Sequence, residues 1–179
     1  IYTSIRCCEL GYLEINGDCY FNKDLKFLQS LIKNSQLGKN PPPDDLKPLK
    51  LGWQIWEDGR LVEFCCSKLS NTACKVDYIL SGDLPTEIGN LTQMRNISLE
   101  SNSLNGSLPS EIGNLHRLEE LTLSSNNMRG KIPKEIGKMV SLKTLAIKGN
   151  NFSGTLPHDI VKLNNMEWMY LSSNQFKGN

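Results

Sequence analysis

Four prolines, Pro85, Pro109, Pro133 and Pro157, stand 24 residues apart, and other columns keep the same step. Asn recurs at 102, 126, 150 and 174, Gly at 82, 106, 130, 154 and 178, and Leu or Ile at 99, 123, 147 and 171. Ile recurs at 88, 112, 136 and 160, each directly after an acid: Glu87, Glu111, Glu135 and Asp159. A single unit, such as Leu108 to Pro133, holds too few apolar side chains for a core of its own. Stacked units give each Leu set a neighbour, so the period predicts a solenoid with a continuous core. Within a unit, Leu118, Leu121 and Leu123 end in alternation, which suits a short strand. Asn126 leaves that strand and Gly130 turns the chain away.

The columns have separate physical roles. Asn102, Asn126, Asn150 and Asn174 carry amide donors and acceptors that can serve a neighbouring turn's buried peptide groups, forming a ladder. The Gly column marks positive φ or close backbone approach. The Pro column fixes φ where no ladder donor is needed. The acid column suits the N-termini of helical turns. The period covers residues 79–179, about four units; residues 1–78 form a head with all six cysteines. With 20 basic and 19 acidic residues, net +1, nothing in the charge suggests a nucleic-acid or anionic-membrane partner. No apolar run reaches the roughly 18 residues a membrane span needs. The chain opens at Ile1 without an initiator Met or a signal-peptide pattern, so it reads as processed or partial.

The pattern LxxLxxLxLxxNxLxGxIPxxIGxL, close to complete in every unit, resembles the plant-type leucine-rich repeat of receptor-kinase ectodomains and polygalacturonase-inhibiting proteins. The resemblance implies an α/β repeat fold: a curved, right-handed solenoid with parallel strands on its concave face and short helical turns on the convex one. The head is similar to that family's N-terminal cap, with a helix, a Trp region and a strand leading into the first unit. "DLKFLQSLIKNS" puts Leu25, Phe27, Leu28, Leu31 and Ile32 on one helical face, with Asp24 as an expected N-cap. A Pro-rich loop follows, then Trp53 and Trp56, then the strand "GRLVEF". The head departs from the family pattern in its vicinal pairs Cys7-Cys8 and Cys65-Cys66, in an insert carrying Cys74, and in Tyr78, which stands at the ladder-Asn position.

An even cysteine count confined to a small head favours three disulfides among Cys7, Cys8, Cys19, Cys65, Cys66 and Cys74, and an extracellular setting. Adjacent cysteines seldom bond each other, so the expectation is that Cys7 and Cys8 reach Cys19 and the 65–74 region. Neither a zinc site nor a catalytic thiol fits, because the only histidines, His116 and His158, lie far off in the repeats. No cofactor is expected, and no catalytic or metal residue. The sequence holds no GxSxG, HExxH or phosphate-cradling Gly loop, so it reads as a non-enzyme. Asn90, Asn96, Asn105 and Asn151 begin N-x-[ST] sequons in the repeats.

Register places Arg95, Ser98, Glu100, Glu120, Thr122, Thr144, Lys148, Trp168 and Tyr170 outward on the concave face as binding candidates, and Asn96, Ser124 and Ala146 outward beside them. Trp168 and Tyr170 stand out, since outward aromatics often anchor ligands. The final unit breaks off after Phe176 and leaves Met169, Leu171 and Phe176 at an uncapped end, expected to be sticky. Two functional expectations follow. One is a secreted recognition module for a peptide, protein or glycan. The other is a structural extracellular glycoprotein whose copies join head to tail into fibres, as heterologous contacts do.

Overall fold

Each repeat makes one circuit: a strand, a tight turn, a second short strand, and a 3₁₀ turn that leads back. The structure is a computed structural model and describes residues 8–67, 74 and 76–178. In the head come β1 (Tyr12–Ile15), β2 (Asp18–Phe21), the helix α1 (Asn22–Ser35), β3 (Trp53–Glu57) and β4 (Arg60–Cys65). The repeats supply β5 (Ser81–Asp83), β6 (Asn96–Ser98), β7 (Ser103–Asn105), β8 (Glu120–Thr122) and β9 (Arg129–Gly130). They continue with β10 (Thr144–Ala146), β11 (Asn151–Gly154), β12 (Trp168–Tyr170) and β13 (Gln175–Phe176).

One six-stranded sheet, in the order β12-β10-β8-β6-β4-β3, forms the concave face. Its repeat strands are parallel and in step with the period, as Ile97 pairs with Leu121, Leu121 with Leu145, and Leu145 with Met169. The second strands pair separately, β5 with β7, and β11 with both β9 and β13. The 3₁₀ turns Thr86–Asn90, Ser110–Asn114, Lys134–Lys138 and His158–Lys162 line the convex side, each directly after a column proline. At Gly113 and Gly137 an added Cβ would lie 2.6 and 2.4 Å from the carbonyl oxygens of Glu135 and Asp159 in the next turn, so only glycine allows this spacing.

The Asn ladder is built from repeated bonds. Asn126 Oδ1 accepts from the Leu104 N–H (2.9 Å), and its Nδ2 donates to the carbonyls of Leu99, one unit back, and of Leu123. Asn102, Asn150 and Asn174 make the equivalent set. The buried peptide groups of each turn are thereby paired, where leaving one unpaired costs about 1–3 kcal/mol.

The core is one continuous cluster from Phe27 in α1 to Leu163 in the last unit. The helix covers the open end of the repeats with Leu25, Phe27, Leu28, Leu31 and Ile32, all buried, and Phe27 meets Phe64 edge to face at 6.1 Å. Asp24 is not the N-cap. Phe21 holds that position without a side-chain bond, and Asp24 lies within the first turn, fully buried. There it accepts from Arg60 Nε (2.8 Å), Arg60 Nη2 (3.1 Å) and the Leu61 N–H (3.0 Å). Arg60 also stacks 4.2 Å over the Phe21 ring and donates to the Asn90 carbonyl (3.1 Å), so it joins helix, hairpin, sheet and first repeat. Burial holds the Asp24 carboxyl above its ordinary range, and the bond from Arg60 pulls the other way.

The cysteines match expectation in part. Cys8, just before β1, bonds Cys19 in β2 as expected, whereas Cys65 bonds Cys74 within the 65–74 region. Cys66 is a buried free thiol, not half of a disulfide. The physical reason is its place in the sheet. Neighbours on a strand face opposite sides, so Cys65 faces outward toward Cys74 while Cys66 points into the core, where the later units carry Leu99 and Leu123. Burial pushes its thiol up to about 12. The expectation for Cys7 falls outside the described residues.

Register explains the second disulfide. Cys65 pairs with Ser98, 33 positions on, whereas Ser98 pairs with Thr122, 24 positions on, so nine extra residues precede Ser98. The sequence separation of Cys65 and Cys74 is also 9, so their bond closes the insertion at its base. Beyond it, Tyr78 takes over at the ladder position: its hydroxyl accepts from the Gly52 N–H (2.9 Å) and contacts Cys66.

Candidate functional site: the concave sheet

Outward side chains of the six strands form columns across the sheet. Strand pairing aligns Ile55, Glu63, Asn96, Glu120, Thr144 and Trp168 in one column. It aligns Trp53, Cys65, Ser98, Thr122, Ala146 and Tyr170 in the next. Beyond them stand Glu100 and Lys148, both exposed. Ser124 and Ala146, expected outward, are nearly covered at 7% and 8% exposure, because both are short side chains flanked by longer neighbours. Tertiary order thus leaves a smooth middle with larger groups at the two ends.

At the strand entrances runs a further column, Glu57, Arg95, Glu119, Lys143 and Glu167, of alternating sign. Arg95 ion-pairs with Glu57, and Lys143 with Glu119 (2.6 Å). The bond from Glu119 holds the exposed Lys143 ammonium above its usual range, with weaker attraction from Glu167 and Glu120. Arg95, a binding candidate by sequence, therefore has its charge already matched.

The first half of the face contains a recess of about 350 Å³ lined by Trp53, Glu63, Asn96, Ser98, Glu100 and Glu120, with the Cys65–Cys74 bond at its rim. Among the described residues the carboxylates of Glu63, Glu100 and Glu120 make no hydrogen bond or ion pair. At the other end Trp168 and Tyr170, 58% and 48% exposed, lie parallel with ring centroids 6.5 Å apart. Thr122 and Thr144 are half-buried between these ends. Two recess residues escaped sequence reading: Glu63 because the insertion breaks the 24-residue count before Asn96, and Trp53 because it lies on the antiparallel strand β3, outside the repeat register; the strand pattern of "GRLVEF" was the available signal for Glu63.

The remaining expected residues are dispersed. Asn105 and Asn151 are exposed on the second strands, away from the concave sheet. Asn90 ends a 3₁₀ turn, and the Thr92 hydroxyl of its sequon accepts from Arg60 (3.4 Å). Asn96 lies inside the recess. Met169 is 37% exposed, and Leu171 and Phe176 are half-buried, with Phe176 stacked parallel to Phe152 at 6.5 Å. Among the described residues no cluster of His, Cys, Asp and Glu is suited to a metal ion, and no helix is long and apolar enough to cross a membrane.

Residues 93–115, 117–139 and 141–163 each match the Leucine Rich Repeat family model. Among solved structures, the BIR3–SERK2 complex from Arabidopsis thaliana is similar at 24% identity and TM-score 0.64, over 86% of this chain and 83% of that chain. The LRR ectodomain of the Arabidopsis thaliana receptor kinase GASSHO1/SCHENGEN3, in complex with CASPARIAN STRIP INTEGRITY FACTOR 2, is similar at 24% identity and TM-score 0.69, over 86% of this chain and 18% of that chain. The Arabidopsis HAESA LRR ectodomain, in complex with an N-terminally extended IDA peptide hormone ligand, shares 36% identity at TM-score 0.53 over 55% of this chain and 16% of that chain. No curated protein matches the sequence. These three stretches are leucine-rich repeats. The fold of the chain is that of plant receptor-kinase ectodomains, and the chain spans less than a fifth of the two longer ones.

Proposed function

We propose that the chain is an extracellular recognition module that takes a peptide or protein segment on its concave sheet and performs no chemistry itself. The observation that carries this is the recess, whose three carboxylates make no hydrogen bond or ion pair among the described residues, while Arg95 and Lys143 at the strand entrances are paired. The two disulfides suit an oxidising compartment, and the HAESA ectodomain, to which the repeats are similar, is in complex with a peptide. Asn105 and Asn151 are the proposed glycan carriers, since sugars there leave the concave sheet free.

Panning a random decapeptide display library on the whole chain supplies defined ligands for a test. Ser98→Trp fills the recess, while Val161→Trp alters an exposed convex position. Selected peptides should bind Ser98→Trp at least about tenfold more weakly, a loss of ~1.4 kcal/mol, and bind Val161→Trp as they bind wild type. Peptides indifferent to Ser98→Trp but lost on Val161→Trp would move the site to the convex side.

A further inference from the structure

We infer that the concave face is shaped for an extended segment with Lys or Arg at one end and an apolar side chain about four residues along. This rests on the concave-face reading above and adds the ligand's chemistry and length.

Charge on the face is arranged by position. Basic residues at the strand entrances are spent on acids beside them, Arg95 on Glu57 and Lys143 on Glu119. Among the described residues, Glu63, Glu100 and Glu120 face the recess with no cation bonded to them, and no Lys or Arg lines it. Lys148 is the one basic side chain in the three outward columns, and it stands two strands from β6, toward the aromatic end. A cationic side chain entering the recess meets three carboxylates and the Trp53 ring, which can hold a cation through its π face. An anionic one is repelled by the same three carboxylates.

The opposite end has different chemistry. Trp168 and Tyr170 present parallel rings on the outward face of β12, an apolar platform. Between the ends, Thr122, Thr144 and the nearly covered Ala146 and Ser124 offer a low path with nothing to obstruct a backbone. From β6, at the recess, to β12 is three strand spacings, or roughly 14 Å at ~4.8 Å each. A segment crossing the strands in extended form covers ~3.3–3.6 Å per residue, so about four residues separate the two contacts.

Peptides enriched from the decapeptide library should carry Lys or Arg with an aliphatic or aromatic residue three to five positions away. The triple variant Glu63→Gln, Glu100→Gln, Glu120→Gln keeps shape and removes charge. It should weaken binding at least about tenfold and flatten its dependence on salt, since screening acts on the charged contact. Trp168→Ala with Tyr170→Ala should weaken binding and leave the salt dependence intact. Neutral or acidic enriched peptides, or salt dependence unchanged in the triple Gln variant, overturn the inference; if Ser98→Trp still blocks those peptides, the concave-face reading stands. If Ser98→Trp does not block them, or no peptide enriches, both fail.

Discussion

Repeats and head meet the same requirement by different means. Each must pair peptide groups buried beside a turn. In the repeats one residue type does so at every step: Asn126 bonds Leu104, Leu99 and Leu123, and a 24-residue shift reproduces the set at Asn150. In the head each junction has its own device. Tyr78 serves Gly52, Asp24 serves Leu61 and Arg60, and disulfides tie the segment before β1 to β2 and close the insertion. A solenoid grows by translation, so its interior contacts are local and recurrent, whereas its end is closed once by contacts distant in sequence.

The sharpest break should come at the head's buried ion pair. Arg60→Ala leaves the Asp24 carboxylate buried without its cation, and unfolding by denaturant should register a loss of about 3–5 kcal/mol at pH 7. The pH dependence has a definite sign. The folded Asp24 pKa is already raised, and removing Arg60 takes away lowering interactions and raises it further. A carboxyl with a raised folded pKa stabilises most at low pH and loses that contribution as pH rises through the folded value. The variant's deficit should therefore shrink toward pH 4 and grow toward neutrality. A deficit independent of pH would mean that Arg60 acts through its packing on Phe21 and its bonds to Asn90 and Thr92 and not through Asp24.

In the repeats, Asn126→Ala should cost about 2–4 kcal/mol, because several backbone partners are stranded at once, and Asn174→Ala at the half-buried last rung should cost about 1 kcal/mol. Equal losses would show that the ladder's value does not depend on burial. Reduction of Cys65–Cys74, or Cys65→Ser with Cys74→Ser, should lower stability by about 2–3 kcal/mol, as closing a nine-residue loop predicts. The smallest effect belongs to Tyr78→Phe, about 1 kcal/mol, since it removes one acceptor from the Gly52 N–H. A Tyr78→Phe loss as large as that of Asn126→Ala would erase the distinction between the two regions.

This division also explains what was legible in the sequence. The period, the Pro, Gly and Leu columns and the buried face of α1 are local patterns, and the structure has them in those places. The β1–β2 hairpin was not anticipated, and Asp24 looked like an N-cap because a short acid before an apolar run is the usual sign of one. Its true partner, Arg60, is 36 residues away and leaves no local trace. Cys66 was counted toward a disulfide because parity says nothing about which side of a strand a cysteine faces. The same limit hid part of the recess: Glu63 joins Asn96 only once nine inserted residues are set aside, and Trp53 reaches it through an antiparallel pairing outside the repeat register.

If the head serves closure and the concave strands take the ligand, as proposed, hydrogen exchange of the whole chain with and without a library-selected peptide tests that division most directly. Slowed exchange should be confined to β4, β6, β8, β10 and β12 and the turns that follow them. Protection confined to the 3₁₀ turns or to the β1–β2 hairpin would contradict it.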